Sequence, residues 1–268
     1  MLRQRIITAV IAALVLLAVL FVLPSFIARG VIAILLMIGA WEWSGFLGAT
    51  QTGRLTFVAL LAALILPFLL GVGQVSNVES VFQLALVWWV VAFIWTFFFP
   101  TPIPKPVAWL SGILVIVPAF VALDWLYQLS PWTLVFMLVI VWVADIGAYF
   151  AGKALGRVKL AVNISPGKTW EGVIGGLVAV SLLLVVENIW IDFPLSAVLP
   201  LAIAVSVISV VGDLTVSMFK RTAGVKDSGT LFPGHGGFLD RADGITAAAP
   251  VFSLGLIWLG PSILGLPA

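Results

Sequence analysis

The chain has no cysteine and a single histidine among 268 residues, and only 9% of it is charged. Without cysteine there are no disulfides, no thiolate nucleophile and no cysteine-ligated metal, and one histidine leaves no second imidazole for a zinc site. So little charge cannot clothe a water-soluble surface. What the chain has instead is 63% hydrophobic residues. They come in repeated apolar runs of about 20 residues, the length a helix needs to cross ~30 Å of hydrocarbon. The formal net charge of +2 says little as a sum; the placement of the charges says more. There is no internal repeat or low-complexity tract, no polar stretch large enough to fold as a separate soluble domain, and no sign of a nucleic-acid partner.

Proline, glycine and short polar turns break the apolar sequence into about nine segments. They predict an all-α polytopic membrane bundle with helices near 6–23, 28–48, 55–71, 80–99, 107–127, 132–152, 171–190, 196–220 and 243–262. The first run follows Arg3 and Arg5 as a signal peptide would, but it is long and lacks a small-residue cleavage site, so it is expected to stay as a helix. Nine crossings from a cytoplasmic N-terminus put every lysine and arginine except Arg29 on the inner side, a strong positive-inside bias. The expected location is therefore the inner, cytoplasmic membrane. Trp109, Trp132, Trp170 and Trp190 fall near predicted span ends, where an interfacial or packing role suits them.

Two units differ in chemistry. Residues 1–130, about five spans, contain no chemical motif. Glu42, between Trp41 and Trp43, is their one carboxylate within a predicted span and is read first as a hydrogen-bonding residue of the bundle, with a peripheral part of a site as the alternative. Residues 131–268 hold nearly all the polar chemistry, in cytoplasmic loops 153–170 and 221–242 and the helix ends around them.

Asp145 shares a helix face with Ala148 and Gly152, so a close neighbour can pack beside it. A carboxylate at membrane depth is costly enough to suggest function, although an interhelical hydrogen bond is the simpler alternative. Gly167-Lys168-Thr169 resembles the end of a P-loop, but that motif needs glycine where this chain has Val162, so a P-loop is rejected. Ser165-Pro166 followed by Lys168, Thr169 and Glu171 predicts a helix start whose free N–H groups, with Lys168 beside them, hold phosphate; a plain capped helix explains the hydroxyls equally well. Asp213, Ser217 and Lys220 line one helix face with Arg221 next to it, and Asp213 lies roughly 10 to 12 Å inward of the basic pair. Lys220 and Arg221 alone could be ordinary flanking cations; Asp213 could not. Asp240 and Asp243 open the last helix with Arg241 between them, a set suited to magnesium completed by phosphates and water, or to the helix dipole. His235 in its glycine-rich turn suits a phosphate contact better than general-base duty.

Residues 217–221 (Ser-Met-Phe-Lys-Arg), 226–229 (Lys-Asp-Ser-Gly) and 231–243 (Leu-Phe-Pro-Gly-His-Gly-Gly-Phe-Leu-Asp-Arg-Ala-Asp) closely resemble the signature of the phosphatidate cytidylyltransferases, or CDP-diacylglycerol synthases. Residues 163–172 are similar to this family too, whereas the first five helices match only in general character. The resemblance implies a magnesium-dependent, homodimeric membrane enzyme, with potassium as a candidate for a neighbouring ion site. Its reaction would join CTP and phosphatidic acid into CDP-diacylglycerol and pyrophosphate. On that reading Asp213 and Asp240 are the first candidates for metal ligands, followed by Asp243 and Asp145. Lys168, Lys220, Arg221, Lys226 and Arg241 are assigned to the triphosphate and lipid phosphate, with Asn163, Ser165, Thr169, Glu171, Ser217 and His235 as further substrate contacts. The lipid phosphate is itself an anionic nucleophile, so positioning and charge neutralisation are the main demands. A transporter or channel is the rival from another class, but it would not gather the charges at one side.

Overall fold

The computed structural model describes residues 2–72, 75–231 and 236–265, without the side chains of residues 2–9 and 75–77. Among them are nine α-helices: α1 (Leu2–Val22), α2 (Ser25–Phe46), α3 (Gln51–Leu69), α4 (Val75–Thr96), α5 (Lys105–Leu129), α6 (Pro131–Leu155), α7 (Trp170–Glu187), α8 (Leu195–Thr222) and α9 (Leu239–Leu259). Eight of them, α2 to α9, are long and apolar enough to cross a membrane among the described residues, and α1 adds the apolar stretch Val10–Val22. The protein is thus a polytopic helical membrane bundle, as the hydrophobic runs predict.

Successive helices alternate in direction, so the connections fall at two ends. At one end Trp43 of α2 donates its Nε1–H to the Ala108 carbonyl of α5 (3.0 Å), and its ring meets Phe219 of α8 with centroids 4.7 Å apart. Trp95 near the end of α4 reaches the same Phe219. At the far end Arg29 of α2 grips Asp124 of α5 through Nε and Nη2 (2.6 and 2.9 Å) and also donates to the Phe68 carbonyl at the end of α3. Arg29 is the one cation that the sequence placed outside. Here it braces three helices, and the pairing rather than a flanking role accounts for its position.

Lipid supplies no hydrophobic drive for helices to associate, so close packing must hold them together. Helix α7 shows how. It buries a stripe of Gly172, Gly176, Val180 and Leu184, while Ile174, Val178, Leu182 and Val185 stay exposed on the opposite stripe, the face for lipid. A Cβ on Gly176 would stand 2.6 Å from the Ala144 carbonyl of α6, so only glycine permits this approach. The small face beside Asp145 is therefore occupied by α7, as its residue spacing predicts.

Between α6 and α7 the chain makes what the sequence reading did not foresee, an antiparallel pair of strands, β1 (Lys159–Ala161) and β2 (Ser165–Thr169). This corrects the helix start assigned to Ser165-Pro166. Ser165 lies in β2 opposite Ala161, and α7 begins only at Trp170, where Thr169 Oγ1 accepts the Gly172 N–H (3.2 Å) as the helix cap. The pairing of Lys159 with Thr169 holds residues 165–169 extended, which is incompatible with a helical turn there.

Candidate active site

The β1–β2 end of the bundle gathers the charged residues. Asp145 of α6 and Asp213 of α8 each stand roughly 14 Å along their helices from that end, at ~1.5 Å per residue. Lys168, near the end of β2, reaches down to Asp213 with Nζ 2.5 Å from Oδ2, and Ser217 donates to Asp213 Oδ1 (3.1 Å) from one turn further along α8. Lys168 therefore acts from a strand rather than beside a helix N-terminus. The charges of Lys168, Asp213 and Arg241 act on Asp145, and those of Asp213, Lys220 and Lys168 act on Asp243.

A second pair stands beside the first. Lys220 of α8 contacts Asp240 of α9 (Nζ to Oδ1 2.7 Å), with both side chains only 8% exposed. The other oxygen of Asp240 accepts two backbone N–H groups, from Ser228 (2.8 Å) and Gly237 (2.9 Å). Gly236 takes a positive φ of 82°, and a Cβ there would stand 2.6 Å from Asp240 Oδ2, so glycine lets the turn close over the carboxylate.

The remaining predicted residues divide. Thr169 is buried and used as a cap, and Glu171 accepts the Val158 N–H through its carboxylate (3.1 and 3.2 Å), so both shape the hairpin. Arg221 donates to the Ile164 carbonyl (3.2 Å) and thereby ties α8 to the hairpin turn. Asn163 sits on that turn, exposed, beside the Phe99 carbonyl (3.5 Å), and lines an apolar cavity of about 210 Å³ with Phe93, Phe97 and Trp170. Lys226 is exposed on the loop after α8, and His235 lies outside the described residues. The centre is thus Asp145, Lys168, Asp213, Ser217, Lys220, Asp240, Arg241 and Asp243.

A divalent metal fits this donor set in part. The oxygens are hard ligands, but among the described residues no three carboxylates converge closely enough to hold an ion by themselves. Asp240 has both oxygens engaged by Lys220 and backbone N–H groups. Asp213 is engaged as well, by Lys168 and Ser217, but its partners are side chains that can turn away, whereas two of the three donors to Asp240 are backbone N–H groups; Asp213 and Asp243 would be the pair to hold magnesium, completed by phosphate oxygens and water.

Glu42 was read from sequence as a bundle residue. Its carboxylate, 6% exposed, does hydrogen-bond within the bundle, and its partners lie at the start of α9 beside Asp240 and on the preceding loop: it accepts from Ser228 Oγ (2.7 Å), Phe238 N (2.9 Å) and Leu239 N (2.8 Å). The available signal was an acid within an apolar span whose one cation, Arg29, lies 13 residues away in the same helix and is bound to Asp124.

The family model described as "Cytidylyltransferase family" matches residues 3–258, nearly the whole chain. The chain belongs to the cytidylyltransferase family. A phosphatidate cytidylyltransferase of Pseudomonas aeruginosa is 41% identical, covering 96% of this chain and 97% of its own length. One from Haemophilus influenzae is 38% identical over 94% of this chain and 98% of its own length. A third, from Brucella abortus, is 46% identical over 49% of this chain and 50% of its own. Membership in the cytidylyltransferase family makes the chain an enzyme, and the polar centre at the β1–β2 end is the candidate for its active site.

Proposed function

We propose that this cytidylyltransferase transfers the cytidylyl group of CTP to phosphatidic acid, forming CDP-diacylglycerol and pyrophosphate at the inner face of the cytoplasmic membrane. The observation that carries the reading is the gathering of four aspartates with Lys168, Lys220 and Arg241 at one end of an otherwise apolar bundle. That arrangement suits two anionic substrates, one delivered from water and one held by its acyl chains in lipid. It offers nothing to an ion pathway running from one end to the other, since the far-end charges Arg29 and Asp124 are locked to each other.

An oxygen of the lipid phosphate attacks the α-phosphorus of CTP. The bond from that phosphorus to the bridging oxygen of the β-phosphate breaks, and pyrophosphate leaves with the electron pair. The nucleophile is already an anion, so no side chain must take a proton from it. Lys168, Lys220 and Arg241 offset the repulsion between the two phosphates and orient them for in-line attack. Bound magnesium, held by Asp213 and Asp243 with phosphate oxygens and water, would neutralise the triphosphate. Asp240 fixes Lys220. A homodimer is part of the proposal on the family resemblance, with crosslinking in membranes as its check.

The direct test incubates purified protein with CTP labelled at the α-phosphate, phosphatidic acid and magnesium. Label should enter a lipid with equimolar release of pyrophosphate. Label transferred to an isoprenoid phosphate but not to phosphatidic acid would replace the acceptor, and no transfer to any lipid phosphate would defeat the reading.

A further inference from the structure

Helix α9 begins inside the bundle. Leu239 is fully buried, and the residue at the capping position, Phe238, has a helical backbone and a side chain that cannot accept a hydrogen bond. The first N–H groups of a helix have no partner within it, and a buried one left unpaired costs about 1–3 kcal/mol. The acceptor comes from α2: Glu42 Oε1 takes the Phe238 N–H and Oε2 takes the Leu239 N–H, while the Ser228 hydroxyl closes on Oε2 from the other side of the loop. Glycine is required where the loop wraps the carboxylate. A Cβ at Gly229 would lie 2.6 Å from Oε1, and one at Gly237 would overlap both oxygens and Ser228 Oγ.

We infer that Glu42 is a positioning residue for the transfer reaction: it caps α9 from another helix and thereby fixes Asp240, and through Asp240 the ammonium of Lys220. The inference rests on the cytidylyl-transfer reading for its kinetic consequence but not for its structural one. Of the three residues that Glu42 holds, one is itself a donor to Asp240 and another follows the second donor. Ser228 gives its hydroxyl to Glu42 and its N–H to Asp240, and Gly237, which donates to Asp240, directly precedes the capped Phe238 N–H. Glu42 and Asp240 therefore clamp one loop from two sides, and releasing the first loosens the second. Preorganised charge acts mainly on the transition state, so the loss should fall on kcat.

The test compares Glu42→Gln, Glu42→Ala and the milder Ser228→Ala with wild-type protein by steady-state kinetics and by hydrogen–deuterium exchange. Glutamine keeps the shape but turns an NH2 toward an N–H donor. We expect kcat to fall about tenfold or more in Glu42→Gln with the KM for CTP changed less than about threefold, as for a misplaced rather than missing contact. Exchange should rise in 226–231 and 236–240 and stay at wild-type levels around Arg29 and Asp124. Ser228→Ala should show the same pattern more weakly. Unchanged kcat in Glu42→Gln, or exchange rising equally at both ends of the bundle, would overturn the inference. If wild-type protein transfers no label, the substrate reading fails alone, and the exchange pattern still decides whether Glu42 holds this loop.

Discussion

The two lysine–aspartate pairs of the centre differ in burial, and that difference separates stability from catalysis. Lys220 and Asp240 are each 8% exposed, whereas Lys168 and Asp213 are 26% and 34% exposed. Breaking a buried pair leaves an uncompensated charge and costs about 3–5 kcal/mol, whereas an exposed pair contributes up to ~1 kcal/mol. Lys220→Met leaves Asp240 with two N–H donors, so the lower figure applies, ~3 kcal/mol. At about 2–4 °C per kcal/mol for a chain of this size, Lys220→Met should melt roughly 6–12 °C below wild type and Lys168→Met within about 4 °C of it. Both should lose on the order of 100-fold or more in label transfer, since each removes a cation that the proposed reaction uses to offset phosphate charge. Adding Asp240→Asn to Lys220→Met should recover part of the lost stability and none of the activity, because it removes the stranded charge without replacing the ammonium. The measurement is thermal unfolding in one detergent beside initial rates on the same preparations. Equal melting losses in the two lysine variants, or a Lys168→Met protein with full activity, would refute the reasoning.

At the far end, Arg29→Lys should lower the melting temperature by several degrees, because a single ammonium cannot replace both arginine contacts to buried Asp124 and the bond to the Phe68 carbonyl; the rate per folded molecule should stay at the wild-type value. Gly176→Val should part α7 from α6 at the Ala144 carbonyl, and reduced yield of folded protein with a displaced Lys168 would appear as lost transfer and faster exchange in β2. The absence of cysteine makes orientation directly measurable: Lys226→Cys should react with an impermeant maleimide only from the cytoplasmic side, and Trp190→Cys only from the opposite side, with inverted labelling overturning the proposed topology.

Which features could be read in advance follows from how far apart their parts lie in the chain. The helices were legible because each is one uninterrupted apolar window whose length the bilayer sets, and the nine predicted segments overlap the nine helices. The polar centre was legible because Asp145, Asp213 and Asp243 are costly in such surroundings, so residue type alone marks them. The hairpin was not, since strands of three and five residues carry too little alternation, and Ser165-Pro166 supplies a convincing helix-start pattern that strand pairing overrides.

Pairings across the bundle were beyond reach for a different reason. Glu42 and Leu239 are 197 residues apart, and Arg29 and Asp124 are 95 apart, so neither element's own periodicity holds any trace of the other. Both nevertheless leave a residue that its local surroundings fail to satisfy: an acid amid tryptophans, and a cation on the wrong side of a charge pattern. Such a residue in lipid must be answered by something, because water cannot answer it. At Glu42 the answer is the buried start of α9, and at Arg29 it is Asp124. An unsatisfied charge in a membrane sequence therefore predicts that a partner exists even where it cannot name the partner. This is why an acid in the half of the chain without motifs, read as a hydrogen-bonding residue of the bundle, finds its partners in the half that holds the motifs.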